Sequence, residues 1–131
     1  MANGLDPVSL EQAQALVRAR SFGRCEGCGV RPPVDRHHRQ PRGMGGVHGL
    51  AATVSNNVTN LLDLCRTCHD LTEAEPTLCE SFGWLVKHPT DPAAVPALLY
   101  TVNGYGWWFL TEDAGYQWFA EPNLTPGSEG V

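Results

Sequence analysis

Two CxxC pairs, Cys25-Glu26-Gly27-Cys28 and Cys65-Arg66-Thr67-Cys68, constrain this chain more than anything else in it. Each pair brings two thiolates to one side of an ion while the intervening residues make a tight turn, so together they suit tetrahedral zinc. The first residues, Met1-Ala2-Asn3-Gly4, do not start a signal peptide, which favours metal ligation in a reducing compartment over disulfides. Redox exchange fits less well, because two pairs in clip spacing satisfy a metal better. The fifth cysteine, Cys79, reads as a small buried residue on a helix.

A chain of 131 residues is one domain's worth, with a modest core that a bound metal would supplement. No apolar run is long enough to cross a membrane, so a soluble, cytoplasmic protein is expected. The net charge of −5 is unevenly spread: residues 18–69 carry eight arginines against Glu26, Asp35 and Asp63, whereas the part after His69 sets Lys87 against nine acids. Arg36, Arg39 and Arg42 flank the doublet His37-His38, and arginine forks suit bidentate phosphate contact. These three are the candidate nucleic-acid-binding residues. A solvated arginine face is the competing reading.

The pattern predicts an α+β chain. Ser9 and Gln12 form a capping box before a helix over Ser9–Arg20, with Leu10, Ala13, Leu16 and Val17 on one face packed toward the metal clip. Asp35–His38 is extended, residues 42–57 form a long glycine-rich loop, and Leu61–Leu64 supply a second strand. Cys65 then turns into a helix carrying His69 to about Glu75, and Pro76 opens a short helix through Phe82. From Trp84 the chain reads as short antiparallel strands around turn signals, with Trp107, Trp108 and Trp118 more often core than base-stacking surface. The expected division is a single domain over 1–131: helix and metal core over 9–82, a β extension over 84–120 and a frayed tail over 121–131.

Cys25–Glu73 resembles the HNH endonucleases of the ββα-metal fold, especially the short versions encoded by bacteriophages. The resemblance rests on the CxxC pairs, His37-His38-x-x-Pro41, Gly45-Gly46 and Asn60-Leu61-x-x-Leu64-Cys65-x-x-Cys68-His69. It implies a small ββα-metal core braced by the four-cysteine zinc clip. It also implies that His38 is the general base, that His37 and His69 hold a catalytic divalent ion, and that Asn60 pins the hairpin loop behind His38. Histidine suits the base role, since its unperturbed pKa of about 6.5 lies near neutrality. Where many relatives carry a histidine four residues after the helix histidine, this chain has Glu73, which reads equally as a solvent-exposed helix glutamate or as an oxygen ligand to the ion, and as a ligand would favour Mg²⁺ or Mn²⁺ over Zn²⁺ or Ni²⁺. Asp35 is a rival ligand or an orienting partner for a histidine. His48 and His88 match no signature position and read as surface histidines.

The resemblance further implies hydrolysis of double-stranded DNA to 5′-phosphate and 3′-hydroxyl ends, with a part in phage genome packaging or recombination beside a terminase. The competing class is a noncatalytic zinc-knuckle module that binds nucleic acid or a packaging protein. It keeps the cysteines and the basic stretch but gives His37, His38 and His69 no joint task.

Overall fold

Ser9 starts the first helix by the predicted capping box: its hydroxyl accepts the Gln12 amide, and the Gln12 side chain accepts the Ser9 amide, each at 3.1 Å. The helix, α1, runs Leu10–Ser21 and ends at Phe22 in the left-handed region. The computed structural model describes residues 9–41 and 56–122. Arg42, the glycines 43, 45 and 46, His48 and most of the predicted loop lie outside the described residues, as does the tail from 123.

Two short strands make an antiparallel ribbon, β1 (Asp35–His38) against β2 (Leu61–Leu64), in the register Asp35↔Leu64, Arg36↔Asp63, His37↔Leu62 and His38↔Leu61. A 3₁₀ turn over Val58–Asn60 leads into β2, and α2 (Arg66–Ala74) follows it directly. Pro76 opens α3 (Pro76–Ser81), where its missing amide costs nothing. A three-stranded antiparallel sheet closes the chain, in the order β3 (Ala97–Thr101), β4 (Gly104–Leu110) and β5 (Tyr116–Ala120). Each α-helix pattern named from the sequence is present, and the chain is α+β.

Trp84-Leu85-Val86, predicted as a strand, is not one. Gly83, with φ +75, turns the chain so tightly after α3 that a Cβ there would sit 2.1 Å from the Pro96 carbonyl oxygen. The segment behind it is spent on cross-links instead: Val86 donates to the Arg39 carbonyl and the Trp84 indole to the Leu98 carbonyl. The β3–β4 turn is tight, since β3 ends at Thr101 and β4 begins at Gly104.

Alternation along β3 and β4 buries Ala97, Leu99, Trp108 and Leu110, which pack with Leu62, Leu64, Trp84 and Cys25, Cys65, Cys68 and Cys79 into one core. Trp118, by contrast, is about half exposed at the edge strand. The helix α1 packs elsewhere: Ala13 and Val17 meet Val58 and Leu61 in a second, smaller cluster, and Leu16 is exposed instead of facing inward. Its link to the cysteine clip is polar. Arg20 forks onto Glu26 inside the first CxxC turn, with Nε–Oε2 2.8 Å and Nη2–Oε1 2.9 Å, and both side chains are almost fully buried.

Candidate functional site

The first site is the cysteine quartet. Cys25 and Cys28 come from a turn tied to β2 by the Glu26 amide on the Asp63 carbonyl, whereas Cys65 caps α2 and Cys68 lies in its first turn. Sulfur atoms of all four lie within 4.8 Å of one another, and no other group of three or more His, Cys, Asp or Glu side chains among the described residues is gathered so closely. The Cys28–Cys65 sulfur separation of 3.9 Å fits thiolates about 2.3 Å from a tetrahedral ion, which lie roughly 3.8 Å apart.

Backbone amides already point at the sulfurs. Gly27 and Cys28 donate to Cys25 Sγ at 3.3 and 3.4 Å, and Cys68 donates to Cys65 Sγ at 3.4 Å. Hydrogen bonds from the Cys68 thiol and these amides lower the Cys25 pKa to about 4, while the Cys68 thiol is pushed up by its bond to Cys25 and by burial. The Cys25 thiolate forms readily while Cys65 and Cys68 resist, a conflict that a cation among them removes. The quartet is therefore positioned to hold a metal ion.

The second site lies at the junction of β1 and α2. His37 is buried, and its Nε2 meets the Trp84 carbonyl oxygen at 2.9 Å, which fixes that nitrogen as the N–H donor and leaves Nδ1 with its lone pair. Burial lowers its pKa to about 4 against the opposing pull of the Trp84 carbonyl, with repulsion from His69 and His38 adding to the fall. The ring is thus neutral near pH 7, the form that ligates metals. His69, from α2, packs edge-on against it with ring centroids 5.5 Å apart. Asp35, two residues before His37 and so on the same face of β1, reaches His69 Nδ1 with Oδ2 at 3.2 Å.

The remaining predicted residues divide. His38 ends β1 opposite Leu61, and alternation places it on the other face of the ribbon from His37. Asn60, fully buried, accepts the Gln40 amide at 2.8 Å and donates to the Gln40 carbonyl at 3.3 Å, while its own carbonyl takes the Arg39 amide at 2.7 Å. These bonds clamp the backbone just beyond His38. Glu73 is exposed on α2 and belongs to no gathered ligand group among the described residues. Arg36 is half-buried opposite Asp63, and Arg42 lies outside the described residues.

Arg39 corrects the predicted nucleic-acid surface. It is wholly buried, and its guanidinium donates to the carbonyls of Gly83 (2.8 Å), Thr59 (2.9 Å), Pro92 (3.0 Å) and Val95 (2.7 Å). Burial lowers its pKa to about 10, so it stays charged at neutral pH, held by dipoles rather than by a carboxylate. Arg18 and Arg20 are likewise committed, to Asp63 and Glu26. What sequence reasoning missed is the Trp84 carbonyl beneath His37. It comes from 47 residues downstream, and a backbone group carries no signal in residue type.

Comparison with protein-family models, with curated proteins and with solved structures returns no match to this chain.

Proposed function

We propose that this chain is a metal-dependent DNA endonuclease of the HNH type, hydrolysing phosphodiester bonds to 5′-phosphate and 3′-hydroxyl ends. The observation that carries the reading is the pairing of His37 and His69 across the ribbon and helix, one ring already fixed by a backbone carbonyl and the other set beside a carboxylate. Ligating histidines characteristically have their second nitrogen held in this way. A divalent ion at His37 and His69 would supply charge stabilisation to the phosphate and to the departing oxygen. The ion held by Cys25, Cys28, Cys65 and Cys68 is zinc in this reading, and it braces α2 so that His69 meets the ribbon.

His38 takes a proton from the attacking water, and the Asn60 clamp fixes the backbone that carries it. Arg36, with Arg42, is the remaining phosphate contact from the predicted set. The proposed substrate is double-stranded DNA, in a phage-encoded role in packaging or recombination beside a terminase. Plasmid nicking in Mg²⁺, Mn²⁺, Ni²⁺ or EDTA tests the assignment: wild type nicks with a divalent ion and His38→Ala does not. Equal cleavage by both refutes the base.

One observation favours the second reading, a noncatalytic zinc-knuckle module binding nucleic acid or a packaging protein. Among the described residues only the cysteines form a tight ligand group. Metal analysis separates the two, since one tightly held zinc and no second site for any divalent ion supports the module.

A further inference from the structure

Tyr100 and Tyr105 stand directly opposite each other in the β3–β4 register, and their rings stack with centroids 4.0 Å apart and planes 22° from parallel. They lie on the face of the sheet turned away from the core, because Leu99 and Gly106 beside them are buried on the other. Tyr100 is 43% exposed. Its position is fixed by the cysteine clip: the Tyr100 amide donates to the Glu26 carbonyl at 3.0 Å, and a Cβ on Gly29 would fall 2.7 Å from the Tyr100 Cβ.

The stacked pair lines a cleft of about 470 Å³ that Phe22 and Arg24, just past the end of α1, also line. Cross-strand pairing accounts for two stacked tyrosines. It does not account for Phe22, a third aromatic from another element, which is 76% exposed in the left-handed backbone region at φ 58. Exposed rings gathered on one cleft mark a surface that something covers. Charge narrows the occupant. The chain is −5 overall, yet Arg24 is the one charged side chain lining the cleft among the described residues. Arg31, exposed two residues past Gly29, is a second cation nearby in sequence, and neither arginine is in an ion pair among the described residues. Aromatic rings beside uncommitted arginines, with no carboxylate among them, match unpaired bases joined by phosphates, since every base has a face to stack and the backbone is anionic. A second copy of the chain fits less well, because a two-fold contact through this cleft sets Arg24 against its own copy.

We propose that this cleft binds a single-stranded stretch of nucleic acid, with bases stacking on Phe22 and the Tyr100–Tyr105 pair and phosphates meeting Arg24 and Arg31. The cleft shares no residue with the cysteine quartet or the His37–His69 pair. The inference therefore goes beyond the function proposed above and does not depend on cleavage.

The test is fluorescence anisotropy of a short labelled oligothymidylate on zinc-loaded protein without added divalent ion, in a His38→Ala background so that binding is read without cleavage. An oligouridylate and a DNA duplex of the same length compete. Phe22→Asn removes the ring at an exposed position and keeps a residue that accepts the left-handed backbone. It is compared with Tyr100→Leu, Arg24→Gln and, as a charge control away from the cleft, Lys87→Gln. Expected is tighter binding of the unpaired strand than of the duplex, and about ten-fold weaker binding by Phe22→Asn and by Tyr100→Leu. The salt dependence of binding should be shallower by about 0.7 in slope for Arg24→Gln and unchanged for Lys87→Gln. Stronger competition by oligouridylate supports the site with RNA as its strand, and weaker competition supports DNA. Preference for the duplex, or wild-type affinity in both aromatic variants, overturns the proposal. So does a wild-type dimer in sedimentation without nucleic acid that Phe22→Asn abolishes, which gives the cleft to a second copy. If Tyr100→Leu loses its zinc, Phe22→Asn decides. Nicking by protein with His38 intact is scored separately, so a failure of strand binding and a failure of the nuclease reading are told apart.

Discussion

Asn60 holds Gln40 by both backbone groups, its Oδ1 accepting the amide at 2.8 Å and its Nδ2 donating to the carbonyl at 3.3 Å. Both residues are buried, so a side chain that cannot make these bonds leaves two polar groups dry. Asn60→Ala should cost about 1–3 kcal/mol in urea denaturation. Asn60→Asp retains the acceptor for the Gln40 amide but loses the donor, and it brings a buried charge. In plasmid nicking, Asn60→Ala should lose rate with zinc content unchanged, because the clamp lies on the backbone leaving His38 and not on the cysteine clip.

Arg39 yields a prediction opposite to the one its neighbours in sequence suggest. Its guanidinium satisfies four backbone carbonyls from three separate segments, and no smaller side chain reaches all of them. Arg39→Ala should destabilise by more than about 3 kcal/mol, whereas Arg24→Ala, at an exposed arginine, should stay within about 0.5 kcal/mol. Thermal unfolding of the pair checks this. Arg39→Lys should also be severe, since an ammonium on one stem cannot follow the planar fork.

Metal removal should undo the main core as well as the clip. Cys25, Cys65 and Cys68 are members of the same buried cluster as Leu62, Leu64, Trp84 and Trp108, and Gly27 has no Cβ because the Trp84 ring occupies that space. Stripping the ion leaves thiols crowded within 4.8 Å at the centre of the core. Chelation should therefore release one zinc per chain, cost several kcal/mol and alter tryptophan fluorescence and near-ultraviolet circular dichroism together. Cys28→Ser should lose the metal. Cys79→Ser should keep it, because Cys79 lies on α3 outside the quartet.

The elements legible in the sequence were those whose signals are local. Ser9 and Gln12 announce α1, Pro76 announces α3, and the CxxC spacing announces the quartet before any tertiary contact is known. What could not be read depends on partners distant along the chain. An arginine beside two histidines looks like a phosphate ligand, and only the positions of Gly83, Pro92 and Val95 turn Arg39 into a structural strut. Trp84–Val86 has the residue types of a strand, but the turn at Gly83 and the bonds to Arg39 and Leu98 fix it otherwise. In the candidate site, the sequence offered Glu73 and Asp35 as rival carboxylates; the ribbon register brings Asp35 to His69, while Glu73 remains on the exposed side of α2.

His37 should make stability depend on pH in a stated direction. Its pKa is about 4 in the folded chain, below the ordinary 6.5, mainly because burial disfavours the imidazolium. Between those two values the unfolded chain binds the proton and the folded chain does not, so lowering the pH favours unfolding. The stabilisation is fully present above about pH 6.5 and is lost as the pH falls toward about 4, a difference of about 3 kcal/mol in all. Acid also releases thiolate-bound metal, so the contrast to measure is between wild type and His37→Gln, which keeps a donor for the Trp84 carbonyl but cannot titrate. On going from pH 7 to pH 4.5, wild type should lose about 2 kcal/mol more than His37→Gln in urea denaturation. Parallel losses in the two proteins would show that His37 is not held neutral by its surroundings.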